Sequence, residues 1–468
     1  MEQWVLTVLK RERKKRKQPL EIKLLNNNYY LYRSTTRWDK ETKKIRKVSE
    51  YIGRIDKNGV IDKRETNKVR TVYHYGNAQM LYQLSHEIEI LLKKNFPQQW
   101  QELLACAIVK TIRPVPLKLI RSVWQTLSLS VNMNAQLSPR AVGSMMRDVG
   151  VDYASQKKFF DELMKGSKFL VFDLSSLFSH SENLNFAEKG HNPEHAYIPQ
   201  INFLLFFSID KQLPVMLRPL HGSVRDIKAL KNALDEVETH DSVLVLDRGF
   251  ASYKLAELLK ISFKFIMPLR RDFKIINYHM PLTQSFVYRK RGINWVMKKS
   301  GSLFLYLFED VKLRAEEETT FINLANDGKR CLSDKNKEAL RFGKIGILSN
   351  AKMDGEELYL MFKQRESVEV AFDALKNELE NDKTYLRDDD AVRGYFFVSF
   401  LSLYLYYKIL RKLKEKKLIK KVSVNEVLIE MSKVYEVHIG NKKKFSAIPN
   451  KVEKLIDTLG VNIFPKSV

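Results

Sequence analysis

Cysteine is scarce in this chain, with Cys106 and Cys331 the two present in 468 residues and no CxxC pair. That excludes a disulfide framework and fits a reducing cytoplasm. Long apolar runs are missing as well. The longest, GYFFVSFLSLYLYY (residues 394–407), is bounded by Arg393 and Lys408. It falls short of the roughly 20 residues needed to span a bilayer and reads as a buried core helix. At the amino terminus, MEQWVLTVLKRERKKRKQ sets its basic run after a brief apolar one, the reverse of an export signal. A cytoplasmic location and no membrane partner are expected. No Walker-type loop or Gly-rich nucleotide fingerprint is present, so no nucleotide cofactor is expected. Acidic residues are in deficit. The chain has 81 Lys and Arg against 55 Asp and Glu, a net charge of +26 spread along its length, which favours a polyanionic partner and above all nucleic acid.

What is present divides by changes of pattern, since internal repeats and Pro-rich or Gly/Ser-rich linkers are lacking. With 44% hydrophobic residues the chain can bury a sizeable core, and its length suggests about three domains. Residues 1–75 read as a basic, β-rich module with runs such as NYYLYRST and VSEYIGRID. Its RERKKRK run is either a DNA-contacting arm or a solvated lead-in. Residues 76–165 carry apolar residues at helical spacing, compatible with a helix-turn-helix-like DNA reader or with ordinary helix packing. An α/β core follows. Residues 166–270 supply its first part, with buried strands in SKFLVFDLSSL, INFLLFFSIDKQLPVMLRPL and SVLVLDRGF and a helix-like VRDIKALKNALDEVETH before the last of these. Residues 271–345 read as a β-rich insertion, 346–415 as the second part of the core, and 416–468 as a basic helical region.

Two acids stand out by context. Asp173 lies inside FLVFDL, and Asp247 ends VLVLD immediately before Arg248-Gly249. An ionised carboxylate beside a buried strand is costly unless paired or coordinated; a structural ion pair, or a helix cap at Asp247, would also satisfy them. A third acid, Glu369, sits in LYLMFKQRESVEVAFDALKNELE. Read as one helix, this segment projects Phe362, Arg365, Glu369 and Lys376 within a sector of about 60°. An Arg/Glu pair at i,i+4 also stabilises a solvated helix face. Three carboxylates in one core repel unless divalent cations neutralise them, so the set is expected to form a metal site.

In these motifs the chain resembles the DDE transposases of bacterial insertion sequences, in the subgroup with a Tyr/Arg/Glu/Lys signature on the last catalytic helix. The likeness rests on SKFLVFDLSSL, the segment from PQINFLLFF to LPVMLRPLHGSVRD, VLVLDRGF, the signature spacing and AVRGYFFVSF, over residues 165–415. It implies an RNase H-like mixed-sheet domain with a β-rich insertion. By the same resemblance Asp173, Asp247 and Glu369 would be catalytic and bind two Mg²⁺ ions, with Mn²⁺ as a substitute. The partners implied are double-stranded DNA, both element-end inverted repeats and target, and a homodimer formed on it. Arg365 and Lys376 would hold DNA phosphates, and Arg248 would either reach DNA or pair with an acid. Phe362 stands where the family usually has Tyr, so that phosphate contact lacks its hydroxyl; Tyr359, one turn earlier, is a candidate replacement. A non-catalytic DNA-binding or repressor derivative and an RNase H-fold nuclease without strand transfer are the competing readings.

Other residues attract less chemistry. His191 and His195 in GHNPEH have metal-pair spacing but Pro193 lies between them. His221-Gly222-Ser223 reads as a turn, with Ser223 as a helix cap. Trp295, Phe286, Tyr288, Phe304 and Tyr306 either stack on an unpaired base or form sheet core.

Overall fold

The computed structural model describes residues 2–39, 44–62, 69–179, 181, 183–189, 199–223, 242–379, 386, 388–439 and 442–464. His191, His195 and the helix-like segment 224–240 lie outside the described residues. The chain forms two compact units, residues 1–75 with 432–449, and residues 76–431 with 450–468.

The first unit opens with helix α1 (Gln3–Arg16), which takes in most of the RERKKRK run; Arg13, Lys14, Lys15 and Arg16 fall in its last turn, at the negative end of the helix dipole. Strands β1 (Leu20–Leu25), β2 (Asn28–Asp39), β3 (Lys44–Asp56) and β4 (Gly59–Asp62) form an antiparallel meander. Val8 of α1 packs with Leu20, Leu31 and Ile55 of these strands in a small apolar core. Strand β5 (Val69–His74) follows and finds its partners far down the chain.

The second unit begins with helices α2 (Gly76–Leu84), α3 (His86–Asn95), α4 (Trp100–Ile112), α5 (Ile120–Trp124), α6 (Pro139–Val151) and α7 (Tyr153–Met164). Side-chain caps set the starts of the last two: Ser138 accepts from the Ala141 amide with Pro139 just inside, and Asp152 accepts from Ser155. Leu103 through Thr111 of α4 are all buried, which assigns that helix to the core.

Strands β6 (Phe169–Phe178), β7 (Gln200–Ser208) and β8 (Leu213–His221) form an antiparallel run. Every residue of β7 is buried, as a strand covered on both faces must be. Strand β9 (Val243–Val245) returns to pair parallel with β6, and after helix α8 (Tyr253–Ser262) strand β10 (Lys264–Pro268) pairs parallel with β9. In sequence rank these five strands lie in the order 3-2-1-4-5, with the first, fourth and fifth parallel. This is the RNase H-like core expected from the sequence.

Strands β11 (Gln284–Tyr288), β12 (Arg291–Ser300) and β13 (Leu303–Asp310), helices α9 (Val311–Asn326) and α10 (Lys335–Ala339), and β14 (Lys344–Ser349) complete the sheet. β14 pairs antiparallel with β10, β13 with β14, and β12 and β11 continue outward, so residues 284–310 prolong the core sheet to nine strands. The charged KLRAEEETTF stretch is helical, within α9, and is capped by Asp310 through the Leu313 amide.

Helices α11 (Gly355–Lys363) and α12 (Glu366–Asp373), a π-helical turn (Ala374–Glu378) and helix α13 (Asp389–Glu415) come next. The apolar run 394–407 lies within α13, where Phe397 and Phe400 pack their rings against Phe159 and Phe160 of α7. No helix among the described residues is long and apolar enough to cross a membrane. Helix α14 (Val424–Met431), strands β15 (Tyr435–Ile439) and β16 (Lys442–Phe445) and helix α15 (Asn450–Leu459) end the chain. β15 pairs with both β5 and β16, which is how a late segment joins the first unit.

Candidate active site

The parallel register of β6 and β9 pairs Phe169 with Val243, Leu170 with Leu244 and Val171 with Val245. Carried two residues further, it sets Asp173 level with Asp247. Asp173 is still within β6, while Asp247 lies just past β9 and caps a short 3₁₀ turn, Arg248–Phe250, by accepting from the Gly249 amide at 3.4 Å. Arg248 is exposed at the start of that turn.

The third acid arrives on α12. Arg365, immediately before that helix, places Nη1 2.5 Å from Asp247 Oδ1 and Nη2 3.1 Å from Glu369 Oε1. A single guanidinium thus bridges the strand-end aspartate and the helical glutamate. Asp173 lies within the same electrostatic neighbourhood. Burial drives its carboxyl from the ordinary 3.8 up to about 7, opposed by the Leu174 amide that donates to it at 2.8 Å, raised further by Asp247 and Glu369, and lowered by Arg365. The structure therefore brings together Asp173, Asp247, Arg365 and Glu369.

Among the described residues no group of three or more His, Cys, Asp or Glu is gathered closely enough to hold a metal ion. The charge of Asp247 and Glu369 is offset in part by the single guanidinium of Arg365. The donor set nevertheless fits a hard divalent cation. All three groups are carboxylates, the class that magnesium and manganese select, and a bound cation would offset both the burial that chiefly raises Asp173 and the smaller repulsion from Asp247 and Glu369.

The segment carrying Glu369 departs from the single helix expected from its spacing. α11 ends at Lys363, Gln364 and Arg365 form a turn, and α12 starts at Glu366. Tight i→i−3 bonds mark the break, from Arg365 N to Phe362 O at 3.2 Å and from Val368 N to Arg365 O at 3.0 Å. Beyond α12 the ladder widens, with Leu379 N bonding Ala374 O at 3.0 Å, five residues back. Phe362 and Lys376 thus lie on the far sides of two phase changes from Glu369, and the 60° sector does not hold. Lys376 sits in the π turn with Nζ 5.7 Å from the Phe203 ring of β7. Phe362, half-buried at the end of α11, has the Lys363 ammonium 5.4 Å from its ring.

Tyr359 does not replace the missing hydroxyl of Phe362. It is fully buried, with its ring against Phe286, Tyr288 and Phe308 of the added strands and its hydroxyl without a hydrogen-bond partner among the described residues. Trp295 is likewise packed, stacked on Tyr306 and Phe308 and 7% exposed, so it belongs to the sheet core and not to a base-stacking platform. The His221 turn has an acid that its sequence context hides. Glu188 accepts from the Ser223 hydroxyl and amide and lies 3.5 Å from His221 Nδ1. The serine donates to the glutamate, so the three side chains clasp a loop to the end of β8. No sequence signal marks Glu188; in the fold it lies in a segment that returns toward β7 and bridges to Gln200.

Residues 166–405, just over half the chain, match the family model described as a transposase DDE domain. Among solved structures, a piggyBac transposase synaptic complex with hairpin DNA matches over 84% of this chain and 86% of its own, at 12% identity and a TM-score of 0.40. No curated protein shows a matching sequence.

Proposed function

The chain belongs to the transposase family defined by the DDE domain, and from that premise we propose that it cuts DNA at the terminal inverted repeats of an insertion sequence and joins the freed 3′-OH ends to target DNA. In this reading Asp173, Asp247 and Glu369 hold two divalent magnesium ions, and the protein acts as a homodimer on double-stranded DNA. The observation that carries the proposal is the coupling of the three acids. The register of β6 and β9 sets Asp173 level with Asp247, and Arg365 joins Asp247 to Glu369 on the late helix. Bound magnesium would supply Lewis-acid stabilisation of the attacking and leaving oxygens.

The chain's own groups do the rest. Asp173 holds one carboxylate in the sheet, where its Oδ1 accepts from the Leu174 amide at 2.8 Å. Asp247 and Glu369 are tied by Arg365. On DNA the same guanidinium turns its planar fork to a phosphate, for which it has the matching geometry, and Lys376 contributes a point charge beside β7. Phe362 offers a ring and no hydroxyl, a loss of about 1 kcal/mol in one phosphate contact. Arg248, exposed beside Asp247, is a further phosphate ligand.

The test is cleavage of a duplex carrying the element's end, with magnesium or manganese, by wild type, Asp247→Ala and Glu369→Ala. Each substitution is expected to abolish nicking and strand joining while leaving duplex binding in place. Undiminished cleavage in either variant would sink the assignment, and binding without cleavage by the wild type under both metals would mark a non-catalytic derivative.

A further inference from the structure

Arg365 occupies the turn that separates α11 from α12. Its main chain is held there by two tight bonds, its amide donating to Phe362 O and its carbonyl accepting from the Val368 amide. From that turn the side chain, 22% exposed, spans two acids with different nitrogens, Nη1 on Asp247 and Nη2 on Glu369. Among the described residues no other cation lies within ion-pair distance of either acid, and Asp173 beside them accepts from the Leu174 amide. One guanidinium therefore serves a cluster of three carboxylates.

This contact obstructs the ligand that the acids suit. A magnesium ion held between Asp247 and Glu369 needs an oxygen from each at about 2.1 Å. The guanidinium already holds one oxygen of each, at 2.5 and 3.1 Å, and as a cation it repels another cation drawn to the same atoms. Ion and guanidinium are thus alternative occupants of the pair. A DNA phosphate stands in the opposite relation. It competes with the carboxylates for the fork of Arg365, whose geometry it matches. Whatever draws Arg365 away frees the oxygens that the ion requires.

We propose that Arg365 is an autoinhibitory latch, which closes Asp247 and Glu369 to divalent cations in the DNA-free chain and opens when a backbone phosphate takes its guanidinium. The inference rests on the reading that these acids hold metal, and adds to it an order of binding, duplex before metal. Linkage makes the effect reciprocal, so bound metal strengthens the duplex contact by the same factor.

The test is calorimetric titration of Mn²⁺ into the full chain, alone and saturated with a mixed-sequence duplex, with the heat of Mn²⁺ on free duplex subtracted. The variants are Arg365→Gln, Arg365→Lys, Arg248→Gln, and the double variant Asp247→Ala with Glu369→Ala. For the wild type, the duplex is expected to tighten Mn²⁺ binding at least about tenfold. Without DNA, Arg365→Gln is expected to bind Mn²⁺ at least about tenfold more tightly than wild type and to gain little more from the duplex. Arg365→Lys keeps the charge and is expected to stay nearer to wild type than Arg365→Gln does. Arg248 is exposed beside Asp247 without an ion pair to it, so Arg248→Gln is expected to retain the wild-type response to duplex.

Three results would overturn the latch: equal Mn²⁺ affinity of the wild type with and without duplex, no tightening in DNA-free Arg365→Gln, or the same tightening in Arg248→Gln. The first needs no variant, so it decides the question even if Arg365→Gln fails to fold. In each case loss of Mn²⁺ binding in the double acid variant would leave the metal reading standing. Equal Mn²⁺ binding by the wild type and that double variant would sink the metal reading, and the latch with it.

Discussion

Asp173 is held at a cost to the fold, and the sign of that cost is fixed by the direction of its shift. Its carboxyl titrates near 7 in the folded chain and near 3.8 when exposed. Between these values the folded state binds more protons than the unfolded state, so stability falls as pH rises from about 4 to 7 and then levels off. At roughly 1.4 kcal/mol per unit the full loss is on the order of 4 kcal/mol. Asp173→Asn removes the ionisable group and keeps the shape. In urea denaturation with EDTA the variant is expected to exceed wild type by a few kcal/mol at pH 8, with the gap closing toward pH 4. Equal curves for both proteins across that range would show that Asp173 does not carry this cost. Arg365 is the opposite case. Its guanidinium is the counter-ion of Asp247 and Glu369, so any phosphate or metal that enters competes with an existing pair.

At the level of elements, the crossing of α6 and α13 shows how closely the core sets its helices. Gly150 of α6 lies against the Asp390 carbonyl of α13, and Gly394 of α13 against the Met146 carbonyl of α6; a Cβ at either glycine would fall inside the van der Waals radius of that oxygen. Backbone offers no side chain to move aside. Gly394→Ala is therefore expected to destabilise the protein by about 1–3 kcal/mol, read as a lower urea midpoint, whereas Gly143→Ala, with nothing near its added methyl, is expected to leave it unchanged or raise it. Such contacts also mark where sequence reading stops. Continuous apolar runs announced β6 through β10, because a strand covered on both faces must be apolar throughout. The break at Gln364 and Arg365 was not legible, since residues 355–379 satisfy helical spacing from end to end and the interruption coincides with the reach of Arg365 to Asp247, 118 residues earlier in sequence. The π turn after α12 is equally silent, because one widened turn leaves no compositional trace. The segment 284–310 showed its strands, and its sheet was hidden, because pairing with β14 is a matter of topology and not of alternation.

Across the whole molecule, chain topology accounts for where the acids lie. From β6 the strands run outward through β7 and β8 in one direction, and from β9 through β10 in the other. The order reverses between β6 and β9, and a crevice outside the carboxyl ends of parallel strands at such a reversal is where α/β sheets bind their ligands. Asp247 lies just past the carboxyl end of β9, and Asp173, midway along the longer β6, sits level with it, so the strands added beyond β10 enlarge the sheet without disturbing the pair. The other unit has a different logic, because its chain is discontinuous. β5 is joined by β15 and β16, with the Tyr73 ring against His438 and Tyr75 against Phe445. Deleting residues 1–75 alone would leave β15 with a bare edge and strip these rings of their partners. An uncovered edge strand is a template for pairing with another copy. That truncation is expected to aggregate in size-exclusion chromatography, whereas deleting residues 1–75 together with 432–449, bridged by a Gly/Ser linker between α14 and α15, is expected to give a monodisperse protein with a single cooperative melt. If the simple truncation proves monodisperse, β15 and β16 do not depend on β5, and the first unit ends at residue 75.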